Sequence, residues 1–129
     1  MNQLHFVDGV AIPTAKFAHA VEVPPNARWL YTSGLTGVDP DGKLGEGCEA
    51  QARQTWQNLL AVLQHADMGP ADIVRMTTYC VNAEDNPLAR RIRNEFIPGY
   101  DKASTFLVVK ALASPDCLFE IDAVAAKAD

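Results

Sequence analysis

The sequence contains few cysteines and histidines, and their spacing argues against a metal site. The three cysteines, Cys48, Cys80 and Cys117, form no Cys-x-x-Cys pair, and the three histidines form neither a His-x-His nor a His-Glu-x-x-His motif. We therefore expect no bound metal. An odd number of isolated cysteines is typical of proteins in a reducing compartment, so a cytoplasmic location without disulfides is predicted.

Basic residues and long apolar runs are also scarce. Lys and Arg number 11 against 16 Asp and Glu, which gives a formal net charge of −5 at pH 7. A nucleic-acid-binding surface needs concentrated basic residues, so no nucleic acid partner is expected. The densest apolar stretch, residues 59–63, is much shorter than a membrane-spanning helix, and the N-terminus lacks the basic segment of a signal peptide. No membrane partner is predicted either.

The length of the chain predicts one domain. A chain of 129 residues with 48% hydrophobic and 21% charged residues has the composition of a globular protein, and we expect residues 1–129 to form a single fold. A chain of this size buries about two thirds of its unfolded surface. A chain this small rarely encloses a deep pocket on its own, so a site shared between subunits is an option.

Apolar spacing and turn residues predict the element order β-β-β-α-β-α-β-β. The first helix carries one apolar stripe with a period of about 3.6 residues, has polar residues such as Gln51 on its other face, and ends before Gly69-Pro70. The second is predicted to begin with Asn86 as N-cap and Pro87 as the first helical residue, and to stop at Pro98-Gly99. The apolar stripe consists of Ala52, Trp56, Leu59, Leu60 and Leu63. The predicted strands are residues 3–7, 18–23, 28–34, 73–82, 104–113 and 118–125.

This order predicts an α+β fold with both helices on one face of a mixed sheet. The strand between the helices alternates residues such as Met76 and Cys80 with residues such as Thr77 and Tyr79. A second sheet face that mixes apolar and polar residues indicates burial against neighbouring subunits. We therefore expect a closed homo-oligomer.

Two charged groups are candidates for chemistry. Glu120 and Asp122 lie on the same side of the last predicted strand, roughly 6–7 Å apart by strand rise. Such carboxylates are exposed or ion-paired, or one of them has a raised pKa and handles a proton or a water molecule. The second group consists of Arg90, Arg91 and Arg93. These arginines form a solvated helix face, or Arg90 or Arg93 reaches an anionic ligand at a subunit junction.

Four short strings stand in order along nearly the whole chain. They are residues 31–34 (Tyr-Thr-Ser-Gly), 50–54 (Ala-Gln-Ala-Arg-Gln), 73–79 (Ile-Val-Arg-Met-Thr-Thr-Tyr) and 119–125 (Phe-Glu-Ile-Asp-Ala-Val-Ala). Together with the element order, these strings resemble the Rid/YjgF family of reactive-intermediate deaminases, once labelled L-PSP endoribonucleases. No single string is diagnostic, but the four in order are specific.

The resemblance implies a chorismate-mutase-like homotrimer, in which three sheets form a central barrel and the ligand clefts lie between subunits. It also implies a small-molecule metabolite as partner and no cofactor. The active members hydrolyse enamines and imines, such as 2-aminoacrylate, to keto acids and ammonia. In them an arginine on the fifth strand pairs with the substrate carboxylate, and a glutamate on the last strand helps to position the water.

The family's functional positions are only partly retained. Glu120 matches the glutamate. The arginine is replaced by Ser104 if the strings are matched, or by Thr105 if residues are counted back from Glu120. Neither hydroxyl can form the two-pronged ion pair, so the resemblance implies a substrate other than the usual 2-imino acid. Phe17 stands where many members have a tyrosine. The implied cleft residues are Phe17, His19, Ser33, Gly34, Ser104 or Thr105, and Glu120, with Arg90, Arg93 or Lys102 as alternative holders of an anion.

Two classes of function stay open at this point. A deaminase for a different enamine or imine would use Glu120 as general acid and base, with Ser33 and Ser104 or Thr105 as hydrogen-bonding groups. A non-catalytic trimer would instead bind a metabolite or another protein. Ribonuclease action comes third, because the chain is acidic and lacks a base-stacking platform. His19 also has two interpretations, as a cleft residue or as a structural hydrogen-bonding group.

Overall fold

The computed structural model describes residues 1–11, 17–99 and 102–129. The helices are α1 (Gly47–His65) and α2 (Asn86–Phe96), and short 3-10 helices at Pro70–Asp72 and Ala83–Asp85 precede β5 and α2. The strands are β1 (Gln3–His5), β2 (Ala20–Glu22), β3 (Arg28–Tyr31), β4 (Leu35–Thr36), β5 (Ile73–Cys80), β6 (Ala103–Val108) and β7 (Phe119–Lys127).

The central sheet has five strands and is mixed. Its order is β3-β7-β5-β6, and β4 also pairs with β7. Strands β5 and β6 are parallel, whereas β3, β4 and β5 pair with β7 in antiparallel fashion. Strands β1 and β2 form a separate two-stranded ribbon. The predicted α+β fold with a mixed sheet is confirmed.

Both helices pack against one face of this sheet, which we call the helix face. Its core joins Leu59 and Leu63 of α1 and Ile92 of α2 to Met76 of β5 and Ile121 of β7. Each of these side chains is at most 1% exposed, and burying one of them contributes roughly 1.5–3 kcal/mol. The predicted stripe of the first helix therefore faces the sheet, with Leu60 half-buried at its border.

Gln51 departs from the predicted polar face of α1, since it is only 2% exposed. Its side-chain amide donates to the carbonyls of Gly45 (3.0 Å) and Asp116 (3.1 Å), and its carbonyl accepts from the backbone N–H of Leu118 (2.7 Å). Buried polar groups are retained when they are hydrogen-bonded. Gln51 thus holds two loops against the start of α1.

The third predicted strand, residues 28–34, is too long: β3 ends at Tyr31, and β4 is a separate strand that begins at Leu35, beyond the predicted range. The backbone N–H of Thr32 donates to the carbonyl of Ala123 (3.0 Å), and the backbone N–H of Ala123 donates to the hydroxyl of Thr32 (3.0 Å). A side chain thus takes the place of a backbone acceptor, which interrupts the ladder. Strand β6 ends at Val108, earlier than the predicted residue 113, because its partner strand β5 ends at Cys80.

The opposite side of the sheet, which we call the open face, is covered by neither helix. Trp29 and Tyr31 of β3 stack on it with ring centroids 6.1 Å apart and are 50% and 71% exposed. Thr77 and Tyr79 of β5 lie across from Asp122 and Glu120 of β7. The predicted mixture of apolar and polar residues on this face is therefore present.

Candidate functional site

A cavity of about 240 Å³ lies on the helix face, between α1, α2 and the edge strand β6. Its walls combine four aromatic side chains with three uncharged hydrogen-bonding groups and two guanidinium groups. The aromatic lining residues are Phe17, Trp56, Phe106 and Phe119, and the polar ones are Thr78, Asn86, Arg90, Arg93 and Ser104, with Ala89 beside them. An apolar cleft with a few convergent polar groups is the usual form of a small-molecule site.

The described lining of this cavity carries positive charge and no carboxylate. Arg90 and Arg93 line it, whereas Arg91, between them in sequence, turns toward Glu49 of α1 at 3.7 Å. Residues three apart lie on the same side of a helix, which brings Arg90 and Arg93 to the same wall. The cavity is therefore compatible with the alternative in which Arg90 or Arg93 contacts an anionic ligand.

Ser104 and Thr105 lie on opposite faces of the sheet, because successive side chains of a strand alternate. Ser104 lines the cavity together with Phe106. The hydroxyl of Thr105 lies on the open face and accepts a hydrogen bond from Nη2 of Arg75 at 3.1 Å. Of the two hydroxyl residues that could replace the family's arginine, only Ser104 is in the same cavity as Phe17.

Glu120 lies on the open face, away from this cavity. Its carboxylate rests against Gly34, where an added Cβ would overlap Oε2 of Glu120. The predicted shared face of Glu120 and Asp122 agrees with their pairing opposite Tyr79 and Thr77. Asp122 is engaged, since it accepts a hydrogen bond from the Tyr79 hydroxyl at 2.7 Å, and this bond raises the pKa of Tyr79.

His19 is used by the backbone around it. Its Nδ1 accepts from the backbone N–H of Val7 (2.8 Å), so Nε2 carries the proton and donates to the carbonyl of Ala11 (2.8 Å). Both ring nitrogens therefore hold the segment that follows β1, which favours the structural interpretation of His19. Ser33 is exposed beside Gly34 and is not among the residues that line the cavity.

Several lining residues were not predicted as such from the sequence. Trp56 belongs to the core stripe, as predicted, and also lines the cavity. Asn86 also lines it; it is the first residue of α2 and not the predicted N-cap, which is Asp85. Thr78 and Phe106 follow from alternation once Ser104 is placed, because they pair with each other in the β5–β6 register. Lys102 lies in a different crevice, beside Phe96 and Ile97.

The described residues contain no group of three or more His, Cys, Asp or Glu side chains placed to hold a metal ion. Cys48, Cys80 and Cys117 are buried free thiols. A hydrogen bond between Cys48 and Cys80, together with burial, raises the pKa of Cys48. Within the described part of the chain, no helix has the length and apolar character needed to cross a membrane.

Comparison with known proteins places this arrangement in a family. The sequence profile of the endoribonuclease L-PSP family matches residues 9–127. A RutC family protein of Pyrococcus horikoshii is 25% identical over 129 residues, which cover 98% of this chain and 99% of that protein. A 2-iminobutanoate/2-iminopropanoate deaminase of Salmonella typhimurium is 31% identical over 103 residues, or 76% of this chain and 79% of the enzyme.

A solved structure agrees with the sequence match. The Rid family protein YyfB of Yersinia pestis, described as of unknown function, superposes with a TM-score of 0.84 at 33% identity, and the match covers 98% of both chains. The matched profile, the relatives and this structure show that the chain belongs to the endoribonuclease L-PSP family, that of the Rid/YjgF proteins.

Proposed function

We propose that this protein is a cofactor-free, cytoplasmic deaminase that hydrolyses an enamine or imine of a small metabolite in a cleft between two subunits of a homotrimer. One subunit contributes the cavity with Phe17 and Ser104, and its neighbour contributes Glu120 next to Gly34. The observation that carries this proposal is the placement of Ser104 and Glu120 on opposite faces of one sheet. A cleft that holds both therefore takes them from two chains. The deaminase among the relatives supports the reaction class.

The reaction needs one water and one positioned carboxylate. Protonation of an enamine on carbon, or of an imine on nitrogen, by solvent first gives an iminium ion. Glu120 then accepts a proton from the water as the water oxygen bonds to the iminium carbon, which produces a neutral carbinolamine. Return of that proton to the nitrogen makes ammonia the leaving group, and as the C–N bond breaks the hydroxyl oxygen loses its proton to Glu120 and forms the keto group. A general acid–base group of this kind contributes about 10²–10⁴-fold to the rate.

The substrate differs from the usual 2-imino acid because Ser104 offers a hydroxyl where the family's arginine is expected. A hydroxyl is a single donor without charge and cannot bind a carboxylate in the bidentate manner of arginine. The same replacement favours a second candidate function, a non-catalytic trimer that binds a metabolite. This candidate predicts saturable binding without turnover.

The test generates imines in situ with an amino-acid oxidase and follows ammonia release above the spontaneous rate. Glu120→Gln is expected to slow release by about 10²–10⁴-fold while the oligomer persists in light scattering. Asp122→Asn is the matched control, because it makes the same change on the same face and leaves an oxygen for the Tyr79 hydroxyl. Equal rates for Glu120→Gln and the unmodified protein would contradict the proposal, and saturable binding without turnover over a broad panel would favour the second candidate.

A further inference from the structure

We propose that α2 supplies the anion anchor of the cavity: Arg90 binds the carboxylate of a small organic acid whose apolar body lies among Phe17, Phe106 and Phe119. The lining of the cavity sets this ligand class. Only the identification of this ligand with the substrate rests on the proposed function. The inference assigns a specificity-determining role to a helix residue, whereas the resemblance placed the anchor on a strand.

The described lining of the cavity is positively charged, although the chain as a whole is acidic. The chain carries a net charge of −5, yet the described lining of the cavity contains two arginines and neither Asp nor Glu. The other two arginines nearby are ion-paired, since Arg91 faces Glu49 at 3.7 Å and Arg53 binds both Glu49 and Glu95. Arg90 has no such partner among residues 1–11, 17–99 and 102–129. An uncompensated guanidinium in a cleft favours an anionic ligand.

The position of Arg90 determines which end of the ligand faces the opening of the cavity. Of the described lining residues, Arg90 is the exposed one, so its guanidinium lies at the mouth of the cavity. Arg93, one turn along α2, is half-buried and donates to Asn94 at 3.4 Å through Nε and Nη2. A carboxylate at the mouth therefore meets Arg90 first.

The inner walls set the chemistry of the rest of the ligand. Trp56 and Phe119 are each 1% exposed and form the inner wall, with Phe17 and Phe106 half-buried nearer the opening. The indole N–H of Trp56 is buried and finds no acceptor among the described residues. Apart from this one donor, such walls suit an aromatic or branched apolar group, and the small volume of about 240 Å³ limits that group to roughly one ring.

Binding of phenylacetate tests the inference without any turnover. All variants carry Trp29→Phe, which removes the other of the two tryptophans, so that the tryptophan fluorescence reports Trp56 in the cavity wall. We expect saturable binding of phenylacetate and roughly 10–100-fold weaker binding of the uncharged isostere phenylacetamide and of acetate, which lacks the ring. Arg90→Gln is expected to weaken phenylacetate binding by roughly 10–100-fold.

Arg91→Gln is the matched control, because it removes the same charge from the neighbouring position on a different side of α2. Equal binding by Arg90→Gln and Arg91→Gln, equal binding of phenylacetate and phenylacetamide, or no saturable binding would overturn the inference. Ammonia release and phenylacetate binding, measured for the unmodified chain, Arg90→Gln and Glu120→Gln, separate the two proposals. Binding that depends on Arg90 in a protein that releases no ammonia overturns only the proposed reaction. Ammonia release that depends on Glu120 but not on Arg90 overturns only the anchor.

Discussion

The two faces of the central sheet carry opposite chemistry on the same strands. On the helix face, Ser104 of β6 lines a cavity together with aromatic residues and two of the three arginines of α2, Arg90 and Arg93. On the open face, Glu120 and Asp122 of β7 lie beside exposed aromatic rings of β3. Strand alternation keeps the cationic cavity and the carboxylates apart in one chain. Glu120 could act on a ligand in this cavity only from a second chain, which is the arrangement proposed above.

The largest expected effect comes from recombining the two faces across subunits. Glu120→Gln retains the cavity, and Ser104→Phe fills the cavity but retains Glu120, so each variant alone is expected to be inactive. When the two are coexpressed and assemble at random, about a quarter of the clefts pair an intact cavity with an intact Glu120. Ammonia release should recover to about that fraction of the unmodified rate.

The control for this mixing experiment is coexpression of Glu120→Gln with the double variant Glu120→Gln/Ser104→Phe, in which no cleft is complete. Two affinity tags, one on each chain, allow the mixed oligomers to be isolated. An inactive preparation of mixed oligomers from the two single variants would refute the division of the site between subunits.

A second prediction contrasts the packing of the two faces. Leu59 is fully buried on the helix face, so Leu59→Ala is expected to lower the free energy of unfolding by about 2–5 kcal/mol. Tyr31 is 71% exposed on the open face, so Tyr31→Ala should keep the far-UV circular dichroism and weaken assembly. Urea titration and light scattering measure the two effects. Unchanged assembly in Tyr31→Ala would remove this residue from the proposed subunit contact.

A third prediction concerns the two neighbouring hydroxyls of β6. Ser104→Arg places a guanidinium in the cavity and is expected to raise kcat/KM for 2-iminopropanoate by roughly 10–100-fold, the contribution of charge-assisted hydrogen bonds. Thr105→Arg puts the same group on the open face beside Arg75 and should bring no gain. A gain from Thr105→Arg alone would mean that the ligand lies on the open face.

The smallest expected effect is on the contact between the helices. Arg53 of α1 binds Glu95 of α2, and this hydrogen bond lowers the pKa of Glu95. A lowered folded-state pKa means that this contribution to stability is present above the usual carboxyl pKa and is lost as the pH falls through the lowered value. Glu95→Gln should therefore be slightly less stable than the unmodified chain at neutral pH and equal to it in acid.

Urea titrations of Glu95→Gln and the unmodified chain from neutral to acidic pH measure this difference. Asp8→Asn is the control, because Asp8 is an exposed carboxylate for which the described residues provide no ion pair. A stability difference that stays constant with pH would show that Glu95 acts through packing and not through its charge.

Local patterns were sufficient to predict much of the fold. The apolar stripe of α1 placed Trp56, Leu59 and Leu63 against the sheet, because a helix has one period and one buried side. The Asn86-Pro87 pair marked the start of α2, since Pro is compatible with the first helical turn. The four strings at residues 31–34, 50–54, 73–79 and 119–125 predicted the family that the profile match confirms.

Other features could not be read from local patterns, because they depend on partners distant in sequence. Gln51 looks polar on a helix surface, and only the loops at Gly45 and Asp116 make it a buried hydrogen-bonding residue. The sequence allows His19 to be a cleft residue, but backbone groups of Val7 and Ala11 hydrogen-bond to both of its ring nitrogens. Both residues are defined by backbone groups that approach only in the folded chain.

The spacing of residues along the chain determined the elements, the mixed sheet and the shared face of Glu120 and Asp122, because helical and strand periods are local properties. The tertiary structure placed Ser104 in the cavity and Thr105 on the open face, since successive side chains of a strand alternate and a shift of one residue in register would exchange them. It also decided that Arg90 and Arg93 meet Ser104 across a cavity while Glu120 does not. That arrangement depends on which side of the sheet the helices cover, and burial of the apolar stripes of both helices sets that side.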